Sequence, residues 1–155
     1  MDPSEFRVIL DDRLLHETAA AAWCDAGDID VVWWCTTAQQ PDAETLDSLP
    51  APLQLMSPID IAAASREAPT DGLRVLILVD DIALILQAIR LGLPPMRLVV
   101  ANYSSDANGR RLSPEVSLDP DDHRNLAGLF ALGFELILQS RPNVTARPLP
   151  HAEAS

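Results

Sequence analysis

The sequence predicts an α/β fold: an open, mostly parallel central sheet with helices on both faces. Three observations lead there. Short β-branched runs alternate with longer helical patterns along the chain. The runs at 31–34 and 75–79 are apolar at every position, as in strands covered on both faces. The stretches between the runs are long enough to hold helices, and helical crossovers join parallel strands.

The first strand covers residues 6–10 and stops at Asp11, Asp12 and Arg13. A helix follows over about residues 16–26, favoured by the alanines at 19–22 and closed by Gly27. The second strand spans residues 29–35; its adjacent Trp33 and Trp34 point to opposite faces, so both faces must be covered. Residues 41–49 form a short helix with Pro41 near its first turn, and Pro50-Ala51-Pro52 breaks the chain. A short strand at 53–56 leads to Ser57 and Pro58, an N-cap and first-turn proline for a helix ending at Arg66. Residues 73–79 are the clearest strand, and Asp80/Asp81 start a helix that stops at Gly92. A strand at 96–101 gives way to a polar loop over 102–111. Asp119 and Pro120 cap a helix that ends at Gly133, before a last strand at 134–139. A Pro- and Ala-rich tail is expected to fray. The organisation is one domain over 1–142 and a flexible tail over 143–155.

With 155 residues the chain fits one domain, and 48% hydrophobic residues rule out global disorder. Twenty-three acidic residues against 11 Lys+Arg give a formal charge of −12, which opposes nucleic-acid binding and attraction to anionic membranes. Such a surface suits a cationic partner or plain solubility. The apolar runs at 75–79 and 82–86 fall well short of the ~20 residues of a membrane span, so no membrane insertion is expected. The N-terminus carries no secretory signal pattern. Two cysteines, Cys24 and Cys35, make no disulfide framework, and a cytoplasmic location follows. No CxxC or HExxH spacing occurs, so neither a metal nor a cofactor is expected.

In parallel sheets, ligands sit beyond the carboxyl ends of the strands. The turn after the first strand holds Asp11, Asp12, Arg13 and His16. A neutral imidazole can attack phosphorus near neutral pH, and a carboxylate or carbonyl on its other nitrogen fixes the tautomer. Arginine grips phosphoryl oxygens through its planar fork, and helix-terminal N–H groups add anion stabilisation. Phosphoryl transfer needs little more than such positioning. On the spacing alone, a solvated or capping His16 is the simpler alternative. Asn102, Ser104 and Ser105 are candidates for the same mouth. Arg110/Arg111 supply either a cationic patch or a solvated loop. Trp23, Trp33 and Trp34 are packing residues, one sugar-stacking tryptophan being the alternative. Cys24 and Cys35 are core residues. His123 is solvated, His151 belongs to the tail, and Asp80/Asp81 form a helix cap rather than a metal site.

Residues 8–16, Val-Ile-Leu-Asp-Asp-Arg-Leu-Leu-His, resemble the N-terminal signature of the IIB component of the mannose/fructose/sorbose family of the sugar phosphotransferase system, Arg-Ile-Asp-Asp-Arg-Leu-Ile-His-Gly-Gln. Trp23 falls where that family commonly has a tryptophan. Leu76-Ile77-Leu78-Val79, the helix from Asp80 and Leu91-Gly92-Leu93 are similar to its central strand, helix and turn. Gly109-Arg110-Arg111 resembles its Gly-Lys-Lys loop element, and residues 116–135 follow its last helix and strand. The likeness is weak over 33–72. It implies a cytoplasmic phosphocarrier. The histidine matching His16 accepts a phosphoryl group on Nδ1 from a phosphorylated IIA component. It passes the group to a sugar substrate translocated by the membrane IIC and IID components. Asp11, Asp12 and Arg13 match the loop around that histidine.

Three positions depart from the signature. Its arginine before the paired aspartates is Ile9 here. Its Gly-Gln after the histidine is Glu17-Thr18, and its acidic stretch after the second strand is replaced by residues 35–40, Cys-Thr-Thr-Ala-Gln-Gln. A unit negative charge ~5 Å from a phosphoryl group costs on the order of 3 kcal/mol at an effective dielectric of about 20. Glu17 therefore disfavours phosphorylation unless it points away. The alternative is a degenerate IIB-like binding or regulatory module without phosphotransfer. A further one is an unrelated α/β protein with an anionic ligand at the same turn.

Overall fold

A computed structural model describes residues 5–12, 19–35, 49, 52–67, 72–104, 110–113 and 116–148. In chain order the elements are β1 (Glu5–Asp11), α1 (Ala19–Gly27), β2 (Val31–Cys35), β3 (Leu53–Leu55), α2 (Pro58–Glu67), β4 (Arg74–Val79), α3 (Ile82–Arg90), β5 (Arg97–Ser104), β6 (Arg110–Ser113), β7 (Val116–Leu118), α4 (Pro120–Gly128), a 3-10 turn (Leu129–Leu132), β8 (Glu135–Leu138) and β9 (Arg147–Pro148). The sequence-predicted helix at 41–49 lies outside the described residues apart from Leu49, and so does the start of the first helix at His16.

The strands form one mixed sheet in the order β3-β2-β4-β1-β5-β7-β6, with β8 also on β5 and β9 on β8. β1 is central. It runs parallel to β4 on one side, with Ile9 opposite Leu78, and parallel to β5 on the other, with Ile9 opposite Val99. The long β5 has two further partners in succession: β8 pairs with its first half and β7 with its end, both in parallel. Among the described residues, β6/β7 and β8/β9 are the antiparallel pairs. The α/β class, the mostly parallel sheet and the two covered faces are therefore as the sequence predicts.

Alternation of side chains explains the two-sided core. Val8, Leu10, Trp33, Ile77 and Val100 point to one face, where they pack with Ile61 of α2, Ile85 of α3 and Leu126 of α4. Ile9, Trp34, Leu76, Leu78 and Val99 point to the other, where Trp23 and Cys24 of α1 meet them. Trp33 and Trp34 thus serve opposite faces and are buried at 7% and 1% exposure. Both cysteines are buried and free.

The helix starts follow their sequence signals. Ser57 Oγ accepts from the Asp60 amide at 3.3 Å while the Asp60 carboxylate reaches back to the Ser57 amide at 3.5 Å, a capping box around Pro58. Asp81 accepts from the Ala83 amide at 2.8 Å and Asp119 from the Asp122 amide at 2.7 Å.

Two expectations need correction. Residues 102–104 are not loop. They extend β5, because β7 offers an edge partner in register, Tyr103 opposite Val116 and Ser104 opposite Ser117. The polar residues there mark a strand end rather than a break. His123 is not solvated: it is 8% exposed on the inward side of α4, one turn from fully buried Leu126. Past Pro142 the chain lies beside β8, with Arg147 opposite Leu138, and Gln139 donates to the carbonyls of Pro142 and Val144 at 3.2 and 2.9 Å.

Gly92 closes α3 with φ of +109°, and Arg66 Nη1 lies 1.8 Å from where its Cβ would stand. That guanidinium donates to the Leu91 carbonyl at 2.8 Å, joining α2 to the end of α3. Gly92→Ala introduces left-handed strain and displaces Arg66. It is expected to cost about 1–3 kcal/mol in a urea unfolding curve. An unchanged midpoint would mean that the α2–α3 junction adapts freely.

Candidate functional site

The helices after neighbouring strands diverge at β1. Helix α3, which follows β4, packs on one face of the sheet, and α1, which follows β1, packs on the other. Divergence of this kind opens a crevice at the carboxyl ends of the strands. The end of β1 is where Asp11 and Asp12 stand.

Both aspartates are tied to β5. The parallel register shifts between Leu10 and Asp11, so that Asp11 comes opposite Asn102. The side chain of Asp11 is fully buried and that of Asn102 is 4% exposed. Asn102 Nδ2 donates to Asp11 Oδ2 at 3.1 Å and to the Ser140 carbonyl at 3.3 Å, linking the ends of β1, β5 and β8. One residue on, the Asp12 amide donates to the Asn102 carbonyl at 2.8 Å, and its exposed carboxylate accepts from the Ser104 amide at 3.1 Å. A buried carboxylate held by an amide fixes the backbone where the strand ends. In chain order, residues 13–18 leave from that fixed point toward α1. Arg13 and His16 lie in this stretch, outside the described residues.

A second set of groups sits at the end of β4. Tyr103 Oη donates to Asp81 Oδ1 at 3.4 Å and accepts from the Ile82 amide at 3.3 Å, so β5 holds the N-terminus of α3. Burial pushes the Tyr103 phenol up to about 12, with the Asp81 and Asp122 charges adding to it, against a lowering by the Ile82 amide. At the end of β2, burial and then the Asp80 charge push the Cys35 thiol up to about 11. Cys24 stands at about 11 as well, from burial and Asp25.

These raised values carry a sign. The folded chain holds its thiol protons more tightly than the unfolded chain does. The associated stability is present below the ordinary thiol value of 9.0 and is lost as pH rises through about 11. The thermal midpoint is expected to fall over that window, and less so in Cys24→Ala/Cys35→Ala. An equal fall in the double variant would assign the effect to other groups. Both thiols are also expected to resist a disulfide reagent at neutral pH until the chain unfolds.

The structure thus brings Asp11 and Asp12 together with Asn102 and Ser104 at one strand end. Ser105 and the side chains of Arg110 and Arg111 fall outside the description. The Ser140 carbonyl and the Tyr103–Asp81 pair are participants that sequence reasoning missed. Continued alternation through Val99-Val100-Ala101-Asn102-Tyr103 would have carried β5 to them. Ile9, at the position of the signature's arginine, is fully buried among Trp23, Trp34 and Leu78, so it presents no polar group to the crevice. Among the described residues no group of His, Cys, Asp and Glu could hold a metal ion. Among them, too, no helix is long and apolar enough to cross a membrane.

No protein-family model and no curated protein sequence matches the chain. Solved structures do match it. Over 96% of this chain and 95% of the other, it superposes on manxB from Thermoanaerobacter tengcongensis with a TM-score of 0.74 at 19% identity. The IIBSor domain of the sorbose permease from Klebsiella pneumoniae gives 0.75 at 19% identity, covering 93% of each chain. The N-acetylgalactosamine-specific IIB component 1 of the phosphotransferase system of Escherichia coli gives 0.79 at 13% identity, covering 94% of this chain and 100% of that one. The chain therefore has the fold of phosphotransferase-system IIB components.

Proposed function

We propose that this protein is a cytoplasmic phosphocarrier of the IIB type, accepting a phosphoryl group on His16 from a phosphorylated IIA partner and passing it to a sugar during transport through membrane IIC and IID components. The observation that carries this reading is the Asp11–Asn102 latch at the carboxyl end of the central strand. The residues that match the IIB signature begin there, in a fold that IIB components share.

The chemistry assigned to the loop is simple. The lone pair of the neutral His16 imidazole, Nδ1 by resemblance, forms a bond to phosphorus as the donor's N–P bond breaks. The donor imidazole keeps that electron pair and takes up a proton. Arg13 offers a planar fork to the phosphoryl oxygens. Asp12, exposed beside the loop, or a backbone carbonyl orients the ring through its other nitrogen. Asp11 has the different role of fixing the strand end. The second transfer repeats the displacement with a sugar hydroxyl as nucleophile.

Buried Ile9, together with Glu17 after the histidine, favours a second reading. In it the chain is a IIB-like binding or regulatory module that has lost phosphotransfer. Incubation with radiolabelled, phosphorylated IIA partners separates the two. Label that is acid-labile and base-stable is the expected result. Absence of label with every cognate IIA partner would leave the binding module.

A further inference from the structure

We propose that a second site, at the opposite end of the sheet, binds a phosphate group, free or carried on a small organic molecule, with Arg7 as its principal contact. A cleft of about 450 Å³ opens there at the amino ends of β1, β4, β5 and β8, lined by Arg7, Arg74, Arg97, Glu5, Glu135 and Ile29 among others. That volume lies within the range of small-molecule pockets.

The register explains why the arginines gather. Arg7 stands directly opposite Arg97, and Arg97 opposite Glu135, while Glu5 stands opposite Arg74. Paired residues of parallel strands share a face, and Glu5 and Arg7 share one by alternation. The charges form a cross-strand array at the sheet edge.

Two of the three arginines are partly committed. Arg97 donates from Nε and Nη2 to the two Glu135 oxygens at 3.2 and 3.3 Å, leaving Nη1. Arg74 pairs with Asp28 through Nη1 at 3.3 Å and lies 4.0 Å from Glu5, leaving Nη2. Arg7 is half-buried, and its guanidinium has no hydrogen bond and no carboxylate within ion-pairing distance among the described residues. Burial, then the Arg97 charge, holds its guanidinium below the ordinary arginine value, against the opposing pull of Glu5 and Glu135. Two guanidinium groups side by side in a concave site repel each other unless an anion sits between them. The planar carboxylates present already occupy Arg97 and Arg74. A tetrahedral dianion offers oxygens both to the fork of Arg7 and to the remaining Nη1 of Arg97 opposite it, with Arg74 on the same wall of the cleft. The site stands at the amino ends of the strands, whereas the candidate transfer loop leaves from a carboxyl end. It does not depend on phosphotransfer.

The test is an NMR titration of the intact chain with inorganic phosphate, glucose 6-phosphate and acetate, at constant ionic strength and mildly alkaline pH. Saturable shifts of the Arg7 Nε–H and of amides at the amino ends of β1, β5 and β8 are expected with phosphate. Acetate should give none. Tighter binding of glucose 6-phosphate than of phosphate would identify a phosphate ester as the occupant, and the reverse would identify the free ion. Arg7→Gln should weaken phosphate at least tenfold, and Arg97→Gln should weaken it as well. Arg124→Gln, on α4 and not among the residues that line the cleft, should not. The proposal is overturned if wild-type protein shows no saturable shifts or if acetate binds equally. It is also overturned if the shifts map to Asp12 and Asn102, or if folded Arg7→Gln keeps its affinity.

Discussion

His16→Ala is expected to reduce acceptance of a phosphoryl group to background while leaving the unfolding midpoint near that of the wild type. The imidazole is the only titratable nitrogen nucleophile in the turn after β1, so its removal leaves no atom there to form the N–P bond. His123→Gln is the matched control. His123 is buried on α4, one turn before Leu126, which packs against the sheet, and its loss should change stability while labelling stays complete. Label surviving in His16→Ala but not in His123→Gln would make His123 the acceptor and contradict the proposal. Unfolding of His16→Ala would make His16 a structural residue.

Asn102→Leu carries the largest stability effect expected at the site. It removes the amide that donates 3.1 Å to buried Asp11 and ties both to the Ser140 carbonyl. Hydrogen bonds to a buried charge are worth more than neutral ones, and a carboxylate losing such a donor bears much of its desolvation cost. A loss of about 2–4 kcal/mol in urea unfolding is expected. Asp11→Leu/Asn102→Leu should recover part of it, with a coupling of about 1–3 kcal/mol in a double-mutant cycle. Additive single losses would show that the two side chains are held independently. Phosphoryl acceptance should also fall in Asn102→Leu, since the loop then leaves from an unanchored strand end.

Much of this architecture was legible because its signals are local. Continuous apolar runs at Val75–Val79 and Val31–Trp34 mark strands with two covered faces, and Asp81 and Asp119 announce helix starts that the structure reproduces. The signals that failed are non-local. Asn102 and Ser104 look like loop residues because they are polar, yet Asn102 pairs with Asp11 of β1, 91 positions back, and Ser104 with Ser117 of β7, 13 positions on. His123 looks solvated in Asp-Asp-His-Arg, yet the helix turns it inward beside Leu126. At the site, Asp11 and Asp12 could be singled out by their place after a strand. Their different fates, one buried on an amide and one exposed on a backbone N–H, depend on a one-residue register shift against β5 that no local pattern encodes. The arginine cleft was invisible for the same reason: Arg7, Arg74 and Arg97 are far apart in sequence and meet only through strand pairing.

Whether His16 carries phosphorus is decided by a proton–phosphorus correlation spectrum of the chain after exposure to phosphorylated IIA. A single phosphoramidate resonance coupled to the ring protons of His16 is expected. A spectrum in which phosphorus couples to another residue, or in which no protein-bound phosphorus appears with any cognate donor, would contradict it.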